Sequence, residues 1–162
     1  YNAKKGKSVQ VLGWDTKKAD GTFVGGFSDS AKALQISKNF EQQGADVIFP
    51  VAGGLGGATA GNSIASKKSV VIWVDTDGFV AAPQYKKVLL TSVVKGVDTS
   101  VKGVILDVAN NKFSSTGYVG TLKNGGTKLA PYHDLIRMVP SALRTEVSKL
   151  GTDISNKKVS VK

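Results

Sequence analysis

The chain has no cysteine, one histidine and only two arginines, Arg137 and Arg144. Without cysteine there is no disulfide, no thiolate metal site and no cysteine nucleophile. That absence suits a secreted bacterial protein as well as a cytosolic one. No run of 18 or more apolar residues occurs, so no segment reads as a membrane-spanning helix. The chain opens at Tyr1 with neither a start Met nor a signal-peptide pattern, so we expect a processed or trimmed piece of a longer protein.

What is abundant is lysine, and with it a formal net charge of +10. Such an excess invites a nucleic-acid reading, because cations that neutralise phosphates drive that binding. The distribution argues against it. The lysines fall in ones and twos, as in Lys17-Lys18, Lys67-Lys68 and Lys86-Lys87, and no basic stretch is interleaved with aromatics. We therefore expect a solvated cationic surface and no nucleic-acid partner.

With 162 residues, 41% of them hydrophobic, the chain suits one domain with a real core. Val9, Val11 and Leu12 predict a strand over 8–14. A loop to Phe27 follows, then a helix capped by Ser28 or Asp29, carrying Ile36 and Phe40 on one face and ended by Gly44. Residues 46–51 predict a second strand whose Pro50, lacking an N–H, belongs at its end. A small-residue helix over 58–66 leads to the nearly all-apolar strand 69–74, and 88–94 is another. Continuous apolar runs of this kind suit parallel strands covered on both faces. Beyond them, Asp98 can cap a helix in which Val97, Val101, Val104, Ile105 and Val108 recur at helical spacing. A short strand over 118–122 follows in a glycine-rich stretch. The last helix starts near Pro140 and carries Leu143, Val147, Leu150 and Ile154. Strands alternating with helices predict an α/β three-layer sandwich with a mostly parallel sheet.

In such a sheet, ligands bind beyond the carboxyl ends of the strands. Three runs end there in polar or glycine-rich residues: Ala52-Gly53-Gly54-Leu55-Gly56-Gly57, Asp75-Thr76-Asp77-Gly78, and Lys95. The glycines can serve a tight strand-to-helix turn or let a ligand approach the backbone at a helix start. They do not form a P-loop, since no Gly-Lys-Ser/Thr follows. Counted from Gly54, the third glycine of a dinucleotide fingerprint falls on Thr59, so that motif also fails. Asp75 nevertheless stands where a ribose-binding acid is expected, which keeps a nucleotide-dependent enzyme with a Rossmann-like domain as an alternative. Asp77 can equally form an Asx turn before Gly78. Two carboxylates with no third acid or neighbouring histidine make an incomplete metal cage, so no metal site is expected. His133 sits alone in a polar loop with no nucleophile motif around it, which gives it no catalytic role. Phe27, between Gly26 and Ser28, can be a lid or stacking platform or a buried ring. No activated nucleophile or oriented acid/base pair can be assembled, and we expect no enzyme activity and no cofactor.

These residues carry a resemblance. Gly25-Gly26-Phe27-Ser28-Asp29, Gly44-Ala45-Asp46-Val47-Ile48-Phe49-Pro50-Val51-Ala52-Gly53-Gly54, Val74-Asp75-Thr76-Asp77, Leu90-Thr91-Ser92-Val93-Val94-Lys95 and the closing stretch from Ile154 to Val161 resemble the basic membrane protein family of substrate-binding lipoproteins. That family includes purine nucleoside receptors serving ABC importers. The resemblance covers nearly the whole chain but only the C-terminal half of a two-lobed clamshell. It implies that residues 1–162 form a single type I periplasmic-binding-protein-like lobe, with the N-terminal lobe, signal peptide and lipidated cysteine lying outside the chain. It further implies an ABC permease as partner, an extracytoplasmic, lipid-anchored or periplasmic location, and a nucleoside, expected to be a purine, as ligand. By the resemblance, Phe27 stacks on the base, Gly53 offers backbone to the ligand, Asp75 takes the ribose hydroxyls with Asp77 as competing candidate, and Lys95 donates a hydrogen bond. Two departures bear on the pocket: Trp73 stands where the family usually has glycine, and Leu55 interrupts its Gly-Gly-Thr-Gly type of turn. A pentose or other sugar is the alternative ligand.

Overall fold

The computed structural model describes residues 5–161. Its centre is a four-stranded sheet made of β3 (Val47–Ile48), β4 (Val70–Asp75), β5 (Leu89–Lys95) and β6 (Thr127–Leu129), hydrogen-bonded in that order. β3, β4 and β5 run parallel and β6 antiparallel to β5. This is the mostly parallel α/β sheet that the apolar runs predict.

The expected first strand over 8–14 does not form. Only Trp14–Asp15 (β1) pairs, antiparallel to Asp20–Gly21 (β2), in a small separate hairpin. Gly13 takes φ +79, a conformation open to glycine, and turns the chain out of the extended path of residues 8–12. A side chain there has no room either, because a Cβ on Gly13 would lie 2.5 Å from Cζ of Phe40. The Asp15 carboxylate then accepts the Lys17 N–H at 2.9 Å, closing the hairpin turn.

Helix α1 (Ser30–Gln42) begins as predicted at Asp29, whose side chain accepts the Lys32 N–H at 2.9 Å. Gly44 follows it at φ +92, the left-handed residue that ends a helix. β3 is shorter than the predicted 46–51. Its ladder to Val70 and Val71 stops after Ile48, and Pro50, with no N–H, cannot extend it. A 3-10 turn, Gly53–Leu55, opens α2 (Gly56–Ser66). Between β4 and β5 lie the short α3 (Gly78–Ala81) and a 3-10 segment, Pro83–Val88. Ala60, Val71, Val88 and Leu89 form the buried core, with Trp73 and Tyr85 packed against it. Trp73 occupies space left by glycines. A Cβ on Gly56 would lie 3.1 Å from its ring, and one on Gly78 would lie 2.6 Å away.

The contact between α1 and α2 is polar. Ser37 Oγ lies 2.8 Å from Thr59 Oγ1, and Ser63 Oγ lies 2.7 Å from Ser69 Oγ. Glu41 Oε1 accepts from Ser69 Oγ at 2.6 Å and Ser66 Oγ at 2.8 Å. Ser37, Thr59, Ser63 and Ser69 are all buried, so satisfying one another avoids the cost of dry hydroxyls.

Helix α4 (Val97–Ala109) is capped by Gly96, two residues before the expected Asp98, which instead lies in its first turn, where a carboxylate complements the helix dipole. The strand predicted over 118–122 is instead a turn built by Asn124. Its Oδ1 accepts from the Thr121 and Gly126 N–H groups, and its Nδ2 donates to the Val119 carbonyl. The pairing falls to β6, a few residues later. A 3-10 segment, His133–Met138, precedes α5 (Ser141–Ser155), for which Pro140 is the cap rather than a first-turn residue. Among the described residues neither α4 nor α5 contributes a fully buried side chain.

Candidate ligand-binding site

The carboxyl ends of β4 and β5 bring Asp75 and Lys95 together. Asp75 pairs in register with Val94, so the last residue of β5 projects beside it. Lys95 Nζ lies 2.6 Å from Asp75 Oδ1, and both side chains are open to solvent, at 70% and 44% exposure. Asp75 has φ +69, uncommon for a residue with a side chain though aspartate tolerates it better than most. The Thr76 N–H bonds back to the Val74 carbonyl at 2.8 Å. Strained backbone of this kind collects at functional sites.

Phe27 and Gly53 form a second pair. Gly53 sits at φ +54, and a Cβ built there would be 3.6 Å from Cδ1 of Phe27. The ring therefore lies over bare backbone just ahead of α2, 78% exposed. A buried ring, one of the two options for Phe27, is not what forms. An aromatic face in water beside glycine backbone, at the same end of the sheet as a carboxylate–ammonium pair, suits a flat polar ligand.

Asp77 is committed elsewhere. Its Oδ1 caps α3 by accepting the Phe79 N–H at 3.1 Å, and its Oδ2 accepts from Nε2 of His133 at 2.8 Å. The His133 ring stacks on Phe79 with centroids 4.1 Å apart, and Lys86 Nζ lies 4.4 Å from the Phe79 centroid. His133 thus has a partner 56 residues away that its polar surroundings in sequence do not announce. The only local signal is indirect, in that His133 is the sole histidine and adopts φ +40.

A cavity of about 1010 Å³ is lined by none of the five candidates, although Ala52 and Leu55, on either side of Gly53 and Gly54, reach it. It runs between residues 8–14 and the β3 side of α1, with Val11, Ile36, Phe40, Val47 and Phe49 among its lining. It is an apolar groove beside the sheet edge and carries none of the polar groups at the strand ends. Among the described residues no group of three or more His, Cys, Asp or Glu could hold a metal ion, and no helix is long and apolar enough to cross a membrane.

Comparison with known proteins agrees with this placement of the fold. The chain is 32% identical over 158 residues to the ABC transporter nucleoside-binding protein BmpA of Lactococcus lactis subsp. cremoris, an alignment covering 89% of this chain and 44% of that protein. Among solved structures, an ABC transporter solute-binding protein from Aeropyrum pernix K1 superposes with a TM-score of 0.75 at 20% identity, over all of this chain and 50% of that one. A transcriptional activator of the comK gene from Bacillus halodurans also reaches 0.75, at 19% identity, over 91% of this chain and 50% of that one. The chain thus spans about half the length of the proteins it matches. The sequence pattern of the Bmp family, described as ABC transporter substrate-binding protein PnrA-like, matches residues 18–162, and the chain belongs to that family.

Proposed function

We propose that this chain is one lobe of the nucleoside-binding component of an ABC importer, and that it binds the ligand without transforming it. The observation that carries this reading is the Asp75–Lys95 pair at adjacent strand ends, open to solvent at the same end of the sheet as Phe27 and Gly53. A carboxylate offers two acceptor oxygens, the pattern that the vicinal hydroxyls of a ribose present as donors. Lys95 can donate to a ring or hydroxyl oxygen while neutralising Asp75. Phe27 supplies a face for a base, and Gly53 leaves the backbone reachable. Asp77, with both oxygens occupied, is the weaker candidate.

The openness of these groups supports a cleft completed by a second lobe. A site whose carboxylate, ammonium and aromatic ring are all in water gains little from exchanging water for ligand. Closure by a second lobe buries the ligand and strengthens those hydrogen bonds by excluding water. The relatives are about twice as long, which leaves room for such a lobe. In that protein the permease is the partner, and the location is extracytoplasmic and membrane-anchored. Purine is the favoured base. A pentose is the second reading, because Asp75 recognises hydroxyls whatever they are attached to and Trp73 alters the family's usual pocket wall.

A thermal-shift screen tests this reading. Ligand bound only to the folded state raises stability by about 2.7 kcal/mol at a hundredfold excess over Kd. Adenosine, guanosine or inosine should raise the melting temperature of the protein extended to the length of its relatives, and the 162-residue chain should fold but respond weakly. A shift with ATP or NAD and none with nucleosides would overturn the proposal in favour of a nucleotide-dependent enzyme. Equal, tight binding by both lengths would show that this chain holds a complete site.

A further inference from the structure

We infer that His133 is a positioning residue for this site: through Asp77 it holds the turn that presents Asp75. The inference rests on Asp75 being the ligand's anchor, and its test is arranged to stand apart from that reading.

The turn that joins β4 to α3 starts with a strained residue, Asp75, and runs through Thr76 and Asp77. Asp75 is at φ +69, a conformation uncommon for a residue with a side chain. Three fastenings follow it. The Thr76 N–H is tied to the Val74 carbonyl, the Gly78 N–H donates to Ser92 Oγ at 3.0 Å, and the Phe79 N–H donates to Asp77 Oδ1. The first two are to the two strands that bear the site, and the third is internal to the turn. Only the fourth, from His133 Nε2 to Asp77 Oδ2, comes from outside β4, β5 and their connection.

His133 is built to hold that carboxylate. The carboxylate only accepts, so the imidazole must donate from Nε2, which fixes the tautomer or charge state of the ring. The stack on Phe79 sets the ring's tilt, and the Asp77 and His133 side chains are only 26% and 22% exposed. His133 itself sits at φ +40, at the start of its 3-10 segment. Asp77, at the other end of the link, has ordinary extended backbone at φ -69, two residues after the strained Asp75, so the hydrogen bond ties the His133 turn to the segment that follows Asp75. Removing the donor frees Asp77 Oδ2, loosens the cap of α3, and lets the Asp75 turn relax toward an ordinary conformation that moves its carboxylate away from Lys95.

Two variants separate the hydrogen bond from the ring. His133→Phe keeps an aromatic on Phe79 and removes the donor. His133→Gln carries an amide N–H at a similar reach and removes the ring. Both place an unbranched side chain at the same positive φ, so strain there is common to both. The first readout needs no ligand: amide hydrogen exchange in the 162-residue chain at Thr76, Gly78 and Phe79. His133→Phe should speed exchange at these amides by roughly tenfold, the loss of about one hydrogen bond to a carboxylate, while Val71 in the core stays unchanged. His133→Gln should restore most of the protection. The second readout is nucleoside affinity in the protein extended to its relatives' length, which should fall about tenfold in His133→Phe and recover in His133→Gln.

Unchanged exchange at Thr76–Phe79 in His133→Phe overturns the inference, as does an equal rise at Val71, which would mean a general loss of stability. Faster exchange in both variants alike also overturns it, because restoring a donor would then have restored nothing; faster exchange in His133→Gln alone would show that the ring rather than the donor holds the turn. Weaker binding with unchanged exchange would place His133 in contact with the ligand instead. If the parent protein binds no nucleoside, the proposed function fails, and the exchange arm still decides the role of His133.

Discussion

Replacing Asp75 with asparagine separates binding from folding more cleanly than any other change at this site. Asparagine keeps the shape of aspartate, one acceptor oxygen and a comparable tolerance of the left-handed conformation that residue 75 adopts at φ +69. Asp75→Ala lacks that tolerance and mixes backbone strain into the result. In the structure the carboxylate meets Lys95 at 2.6 Å, but with 44% and 70% of the two side chains exposed the pair contributes about 0–1 kcal/mol to folding. For a chain of this size that corresponds to a melting change of at most about 4 °C. In a closed cleft the same carboxylate makes charge-assisted hydrogen bonds of about 1.5–3 kcal/mol, so losing the charge should weaken nucleoside binding roughly 10- to 150-fold. Isothermal titration calorimetry with a purine nucleoside, paired with a thermal melt of the same sample, reads both quantities. Asp75→Asn should lose affinity and keep its melting temperature. Affinity equal to the parent would show that the hydroxyls are held elsewhere, and a collapse in melting temperature would show that Asp75 is a structural residue.

Three further outcomes follow from the geometry. Phe27→Ala should weaken nucleoside binding by about 1–3 kcal/mol, the range for losing an aromatic stacking face; stability should change by less than about 0.5 kcal/mol, because the ring is already exposed, and calorimetry with a melt checks both. Gly96→Ala should destabilise the chain by about 1–3 kcal/mol in chemical denaturation, because a Cβ there would lie 2.1 Å from the Gly125 carbonyl oxygen, backbone that cannot swing away. Glu41 adds a pH dependence. Burial, the largest single influence, pushes its carboxyl up, but the hydroxyls of Ser69 and Ser66, the Asn62 amide, which forms no hydrogen bond of normal geometry, and the Lys68 charge together outweigh it, so the group is held below its ordinary value of 4.5. A lowered folded value means stability that is fully present above pH 4.5 and lost as pH falls through the folded value. Glu41→Gln should therefore lower stability at pH 7, and the gap to the parent should close in acid; a gap that is constant with pH would refute the assignment.

The parts of the molecule legible in sequence are those whose signal is local. The apolar runs at 69–74 and 88–94 become the parallel strands β4 and β5 because continuous apolar runs suit strands covered on both faces, and Asp29 and Gly44 bracket α1 by capping chemistry that needs no distant partner. The strand-end positions of Asp75 and Lys95 followed from those runs, and their pairing followed from the register between β4 and β5. What failed depended on chain geometry beyond the local pattern. Alternating Val9 and Val11 look like a strand, yet the ladder in this region forms only at Trp14–Asp15, after Gly13 turns the chain at φ +79. Residues 118–122 read as extended, but Asn124 satisfies their backbone from a turn. His133 looked idle because its partner, Asp77, lies on another element, and no spacing rule links positions 77 and 133.

Helix α4 joins the two kinds of evidence. Its apolar stripe was correctly read as helical, and the structure forms the helix over 97–109, yet Val97, Val101, Val104, Ile105 and Val108 remain 40–61% exposed. Periodicity identifies a face that wants cover without saying what covers it. The helix leaves directly from Lys95 through Gly96, so its stripe starts at Val97, two residues from the candidate site. In the proposed two-lobed protein, packing on that stripe would couple the seating of the second lobe to the position of Lys95, and hence to the carboxylate it neutralises. Binding and lobe closure would then share one mechanical element. On that account the weak response expected of the 162-residue chain has two sources: a ligand left half in water, and a Lys95 followed by a helix whose apolar stripe is largely in water.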